Sequence, residues 1–408
     1  MKKGIKILLA SSKYMPEYSG SGLRAHSLYK RLIDKCQDIS DLVVLCGSET
    51  ENRSFSYTYE GFSINRIAEK RFLKLSGNPF IRRFHIWHNF QKEFKASMNF
   101  LNNLLPRPNM VHIFGKNYVT AAATHYAISN SIPLLIELCN EMSSTQVHVP
   151  FPIRFFLNLS PKDKFKYVCI SERLKRVCLS EGISEENLWC RPNPVDENKF
   201  FPVSSEQKLE LRKQITGWGA DVRLLCYVAK VIPRKNHIML IDVIEKLPDN
   251  YRLFMGGPTV SSGIEHERDS ALVEKIKQEI SERKLNSKII FKTGFFKNID
   301  QLYKMSDVYL FPTKEEGLGT PLLEAVSCAV PVVANTIDGI TDTWIENGRN
   351  GYLSKLDPDD FALKIIKAEC IPRCNLLEAA RKMINIAGIS AIDQEYINII
   401  NSMASSEQ

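Results

Sequence analysis

No apolar run in the 408 residues approaches the roughly 18–20 that a membrane-spanning helix needs, so no such helix is expected. Met1-Lys2-Lys3 ahead of Ile5–Ala10 has the outline of a secretory leader. However, its apolar stretch is too short and is interrupted by Lys6, so Ile5–Ala10 is expected to be a first buried strand. None of the ten cysteines forms a CxxC pair. Cys370 and Cys374 stand closest in the chain, with no second ligand pair nearby, which argues against zinc; reduced thiols in a cytoplasm are expected. No tandem repeat or low-complexity segment occurs. No Asp-x-Asp pair stands in a loop suited to a metal, so no metal is expected.

What is present suits a soluble chain long enough for two domains with substantial cores: 44% hydrophobic and 25% charged residues. The net charge of +8 is compatible with nucleic acid, anionic lipid or phosphorylated ligands and selects none of them. The charge is uneven. Residues 66–116 hold ten Lys or Arg against only Glu69 and Glu93. There Phe80, Phe84, Trp87, Phe90 and Phe94 recur at near-helical spacing, interleaved with Arg82, Arg83, Lys92 and Lys95. An amphipathic helix packed on a sheet explains the aromatics; an anionic membrane surface would explain the basic excess. The same mixture returns at Arg154, Phe155, Phe156, Lys162, Lys164 and Lys166.

The most informative stretch is Asp307–Ala334. Val308–Phe311 reads as a strand, Pro312–Gly319 as a loop with two glycines, Leu322–Ala329 as a helix and Pro331–Ala334 as a second strand. Thr320 is expected at the N-cap and Pro321 at the first helical position. This is a parallel-sheet unit, whose ligands lie beyond the strand ends. Glu316 lies in the loop and Glu324 about one turn into the helix. Amides near Gly319 and Thr320 between them form an anion-attracting helix start. A diphosphate with a sugar at each end, as in a nucleotide sugar, suits that arrangement. The plain alternative is a solvated loop carboxylate and a first-turn glutamate that favours the helix dipole.

With its glycine, proline and alanine context, Glu316-Gly317-Leu318-Gly319-Thr320-Pro321-Leu322-Leu323-Glu324-Ala325 resembles the E-x7-E signature of retaining glycosyltransferases of family 4, in the glycosyl transferases group 1 class. The resemblance covers nearly the whole chain, most strongly 191–353. It implies an α/β, GT-B fold: two facing Rossmann-like domains with a deep interdomain cleft and a C-terminal helix crossing back to the N-terminal domain. Residues 1–195 with 388–408 would bind the acceptor and 196–387 the nucleotide sugar. The boundary follows Arg191-Pro-Asn193-Pro-Val-Asp196, a stiff connector similar to the family's hinge.

Residue by residue, the resemblance gives Glu316 the donor sugar and Glu324 the ribose, with Gly317, Leu318, Gly319 and Thr320 lining the donor site. Lys230 and Lys235 stand where the family's Arg and Lys grip the diphosphate, although a lysine at 230 lacks the bidentate guanidinium fork. Ala229 and Asn236 replace the flanking glycines. Glu316, Lys230 and Lys235 are therefore the catalytic candidates. Gly20 and Gly22 follow the first strand and would face the donor phosphates; a plain turn is the simpler reading of that pair alone. Gly294, with Phe295, would lie near the base. The acceptor-side candidates are Cys139, Asn140, Arg24 and His26. Cys139 stands where the family usually has a histidine beside the reacting sugar, and it cannot supply the same hydrogen bond. His112 is expected to be structural.

The implied activity is transfer of a hexose, with retention and without a metal, from a UDP- or GDP-sugar to a saccharide or lipid-linked acceptor. Bacterial surface-polysaccharide assembly is the expected setting. No cofactor besides the donor and no nucleic acid partner is expected. The expected place is the cytoplasm, with peripheral contact on the inner face of its membrane. Two other readings stay open: a donor-binding subunit without activity, and a nucleotide-sugar epimerase of the same architecture.

Overall fold

The computed structural model describes residues 4–17, 19–71, 79–138, 165–259 and 264–405, and all structural statements below concern these. They form two compact units. The first comprises Met1–Ile170, Leu174–Arg191 and Asp393–Gln408; the second comprises Ser171–Arg173 and Pro192–Ile392.

The first unit is built on an eight-stranded sheet in the order β3-β4-β2-β1-β5-β6-β7-β8. Its strands are β1 (Ile5–Ser11), β2 (Ile39–Cys46), β3 (Phe55–Tyr59), β4 (Phe62–Arg66), β5 (Met110–Phe114), β6 (Leu134–Leu138), β7 (Phe165–Cys169) and β8 (Leu188–Cys190). All neighbours pair in parallel except β3, which is antiparallel to β4. Central parallel strands are covered on both faces, which is why β5 and β6 are buried at every position. The β3–β4 hairpin has no counterpart among the strands expected from sequence. It turns on Glu60 and Gly61, both at positive φ (45° and 87°), as a two-residue turn requires.

The second unit carries six parallel strands in the order β11-β10-β9-β12-β13-β14. They are β9 (Arg223–Val228), β10 (Tyr251–Gly257), β11 (Ile289–Thr293), β12 (Val308–Phe311), β13 (Val332–Asn335) and β14 (Gly351–Ser354). Counted from β9 this is the order 3-2-1-4-5-6, a doubly wound Rossmann sheet whose switch point lies between β9 and β12. Gly256 and Gly257 end β10 because a Cβ there would lie 1.8 Å from the Lys292 carbonyl oxygen and 1.9 Å from that of Ala229.

The units divide a few residues before the expected point. Val195 donates its N–H to the Ala387 carbonyl (2.7 Å) and accepts from Ile389 N–H (3.0 Å), which fastens the connector into the second unit. The final helix, Ile389–Ser405, starts there, its first amides capped by the Glu197 carboxylate at 2.8 and 3.0 Å. From Asp393 onward it belongs to the first unit. Asp393 is 1% exposed and takes a forked bond from Arg31 and another from Lys35 (2.8 Å), both on helix Gly20–Lys35.

Glu137 of β6 is a buried charge in the first unit. Its carboxylate accepts from Arg191 Nη2 at 2.9 Å and from the Tyr396 hydroxyl of the final helix, and lies 3.3 Å from His112 Nε2. His112 in turn meets the Tyr29 hydroxyl at 2.8 Å, a structural role. Burial pushes the Glu137 pKa upward, but the Arg191 charge and the hydrogen bonds outweigh it and hold the carboxyl at about 2. A depressed carboxyl stabilises the fold above its unfolded value near 4.5, and that contribution is lost as pH falls toward about 2. Glu137→Gln removes the buried carboxylate that Arg191 and Tyr396 contact and should cost about 3–5 kcal/mol in urea unfolding. It should also flatten the acid limb of stability between those two pH values. An unchanged midpoint and an unchanged acid limb would show that the pair contributes nothing net.

Candidate donor site in the second unit

In an open parallel sheet, ligands bind beyond the carboxyl ends of the strands at the switch point. Here that edge is formed by the loops after β9 and β12. Their backbones are laced together: Lys314 N–H donates to the Arg234 carbonyl (2.8 Å), and Arg234 Nη1 donates to the Glu315 carbonyl (3.0 Å). The end of β13 joins them, with Asn335 Nδ2 donating to the Thr313 carbonyl at 2.9 Å.

This lacing brings Lys235 against Glu316, 81 positions later, in a direct ion pair between Nζ and Oε2. Lys235 is 9% exposed and its ammonium also lies 5.8 Å from the centre of the Phe311 ring. The other Glu316 oxygen accepts from Gly317 N–H at 3.1 Å. Asn236, standing where the resemblance has a glycine, sits at φ 57°, ψ 37°. Asparagine tolerates that left-handed geometry, so the loop keeps its turn without glycine. Lys230 is exposed just beyond β9, with no side-chain hydrogen bond or ion pair among the described residues.

Gly319 takes the left-handed conformation (φ 84°) and is itself the N-cap of helix Thr320–Ser327; a Cβ there would lie 3.3 Å from Phe311. The expected cap at Thr320 is thus one residue late, because glycine alone accepts the backbone turn without strain. Thr320 instead accepts a 3.1 Å hydrogen bond from Asn193 Nδ2. Leu318 is buried at 3% exposure and Gly317 is exposed. Glu324 is half-buried and accepts from the Tyr303 hydroxyl at 2.9 Å. Burial pushes its pKa up to about 7, against the Tyr303 hydrogen bond and the Lys199 charge. Gly294 is exposed after β11, its N–H donated to the Gly257 carbonyl (2.9 Å), beside Phe295 at 87% exposure. Asn193, Tyr303 and Phe311 escaped the sequence reading. Asn193 lay within the hinge motif, but nothing in its spacing shows that its amide reaches Thr320.

The first-unit candidates fare differently. Gly22 donates its N–H to Ser19 Oγ (2.9 Å), and a Cβ there would strike the Lys13 carbonyl at 2.5 Å; it serves the start of helix Gly20–Lys35. Gly20 has open space around it. Arg24 is half-buried and donates to the Gly20 carbonyl at 3.2 Å. His26 is buried, with Nδ1 3.0 Å from the Tyr14 hydroxyl and Nε2 3.3 Å from Glu60, so its ring is already engaged. Cys139 and Asn140 lie outside the described residues.

Residues 210–387 match the family model of glycosyl transferases group 1. The second unit thus carries a glycosyl transferases group 1 domain. An Escherichia coli protein named UDP-Gal:alpha-D-GlcNAc-diphosphoundecaprenol alpha-1,3-galactosyltransferase is 23% identical over 249 residues, 58% of this chain and 60% of its own. Mannosylfructose-phosphate synthase of Agrobacterium fabrum is 23% identical over 194 residues, 46% of this chain and 40% of its own. The chain spans about half the length of these curated relatives. HepE of Anabaena, solved in complex with UDP, has a TM-score of 0.70 at 16% identity, covering 98% of this chain and all of that one (100%). The fold of the chain is therefore GT-B, with two Rossmann-like units.

The raised carboxyl has a testable consequence. Between about pH 4.5 and 7 the folded chain holds a proton on Glu324 that the unfolded chain has released, so stability falls as pH rises through about 7. Thermal melts of wild type and Glu324→Gln should diverge over that range, the neutral variant losing less. Parallel curves would place the carboxyl in its ionised form throughout.

Proposed function

We propose that the chain is a retaining glycosyltransferase of family 4, which moves a hexose from a nucleotide-diphosphate sugar to a saccharide or lipid-linked acceptor. The observation that carries the proposal is the Lys235–Glu316 pair at the carboxyl edge of the switch point, between β9 and the helix that begins at Thr320. A buried cation beside a helix start suits a diphosphate, and a carboxylate beside it suits sugar hydroxyls. The printed names of the relatives, one of them using a diphosphoundecaprenol-linked sugar, agree in class.

In this reading Lys235 and the exposed Lys230 take up negative charge as the bond to the diphosphate breaks, more strongly in the transition state than in the ground state. Glu316 positions the transferred sugar. Glu324, steadied by Tyr303, meets the ribose, and Gly317–Thr320 bring backbone close to the donor. Asn193 keeps Thr320 in place at the helix start. Gly294 and Phe295 are the base-side residues. The first unit supplies the acceptor side, with Gly20 and Arg24 the remaining candidates there. The charge stabilisation is assigned to lysines and amides, so neither a metal nor a cofactor beyond the UDP- or GDP-sugar is invoked. Surface-polysaccharide assembly at the cytoplasmic face of a bacterial membrane is the proposed setting.

Incubation with a panel of nucleotide sugars and saccharide acceptors should release nucleoside diphosphate. Lys235→Ala and Glu316→Gln should each lower that rate by about 10²–10³-fold, the loss seen when one preorganised stabilising group is removed. Nuclear magnetic resonance of the product should show the donor's anomeric configuration retained. Tight donor binding without turnover would instead identify a binding subunit, and a changed sugar in recovered donor would identify an epimerase.

A further inference from the structure

A cavity lies at the amino edge of the second unit's sheet, the edge away from the candidate donor site. Arg223 opens β9, Asp307 directly precedes β12 and Pro331 directly precedes β13. β12 and β9 are four and six residues long. At 3.3 Å per residue that puts about 13–20 Å between the two edges. These residues line the cavity together with Lys208 of helix Ser205–Thr216, Glu369 at the end of helix Pro358–Glu369 and Arg373 at the start of helix Arg373–Ala387. Its volume is about 160 Å³. That is room for roughly ten waters and too little for a drug-sized molecule. The floor is apolar, formed by buried Ala329, Pro331, Ile371 and Leu376.

The charges around the cavity do not balance. Asp307 is already engaged, with Lys208 Nζ at 2.6 Å, Arg212 Nη2 at 2.8 Å and the Leu224 N–H at 2.7 Å. Glu369 accepts from the Tyr251 hydroxyl at 2.9 Å, and Arg223 Nε stands 3.9 Å from the same oxygen. The other Glu369 oxygen is buried without a hydrogen-bond partner. Arg373 donates to the carbonyls of Ala329 and Val203 at 2.9 and 3.1 Å and pairs with no carboxylate among the described residues. Four cations thus share two carboxylates. Burial lowers the Lys208 pKa, and the Arg212 and Arg373 charges lower it further, against the pull of Asp307. Positive charge crowded around a cavity calls for an anion, and guanidinium groups match a phosphate in particular. A carboxylate oxygen left over beside an apolar floor calls for a hydroxyl on a short carbon skeleton.

The geometry points to a binding site for a small phosphomonoester that carries hydroxyls, a sugar phosphate in class. Arg223, Arg373 and Lys208 take the phosphate, and Glu369 takes a hydroxyl. A ligand there lies a strand's length from the switch-point loops, so it is not a reactant at the donor site. The inference goes beyond the proposed function and does not rest on it.

Titration calorimetry of the whole chain with glucose 6-phosphate, in phosphate-free buffer, tests it. The probe should bind wild type saturably, and saturating UDP should leave that binding unchanged. Glucose should not bind, and inorganic phosphate should bind more weakly than the sugar phosphate. Arg223→Met and Arg373→Met should each weaken binding about 10-fold or more, the loss of one charge-assisted contact. Arg223 is exposed, so its variant should keep a wild-type circular dichroism spectrum and melting temperature. Lys235→Ala, at the opposite edge, should bind the probe as wild type does. Absence of saturable binding, displacement by UDP, equal binding of glucose or of inorganic phosphate, or undiminished binding by the folded Arg223→Met protein would overturn the inference. Nucleoside diphosphate release from a nucleotide sugar reads the proposed function separately, and its absence would leave the calorimetric result standing.

Discussion

The reversal of strand order between β9 and β12 is the constraint on which the second unit's chemistry depends. Adjacent strands there send their connections to opposite faces of the sheet, and the loops that leave them part at the carboxyl edge. Into that opening two segments 81 positions apart deliver one cation and one carboxylate. Neither would be tolerable alone at this depth. Lys235 is almost buried, and its charge is acceptable because Glu316 and the Phe311 ring compensate for the water it has lost. The hydrogen bonds between Arg234 and residues 314–315 keep the pair in register with the helix that begins at Thr320.

The first unit solves a related problem differently. A glutamate in the middle of a fully buried strand is stabilised by an arginine, a tyrosine and a histidine from three other segments. That network and the Asp393 cluster tie the last helix to the sheet and to helix Gly20–Lys35. Glu93, paired with Arg71, likewise holds the second half of helix Pro79–Asn102 in place.

Much of the architecture was legible because parallel strands covered on both faces read as short, uninterrupted apolar runs. Val308–Phe311 matches its sequence limits to the residue, and the expected Ile5–Ala10 falls one residue short of β1. The β3–β4 hairpin was missed because its edge strands alternate polar and apolar residues, Phe55-Ser-Tyr-Thr-Tyr, and its turn is a single Glu-Gly pair. The donor-side motif was legible as spacing. The cap at Gly319 rather than Thr320 was not, because threonine has the better capping side chain and only the positive φ of the preceding residue moves the start.

Composition, periodicity and the eight-residue interval between Glu316 and Glu324 were enough to determine two α/β domains and a helix start flanked by acids. These are local properties, written in runs of ten to thirty residues. Whether Lys235 meets Glu316, whether Glu324 stays protonated near neutrality, and whether His26 is free to act depend on groups far away in the chain. Burial, counter-charge and the closing of a ring nitrogen's last partner are decided when distant segments pack. Only the tertiary structure could say that Glu93 turns inward and leaves its helix with positive charge alone outside.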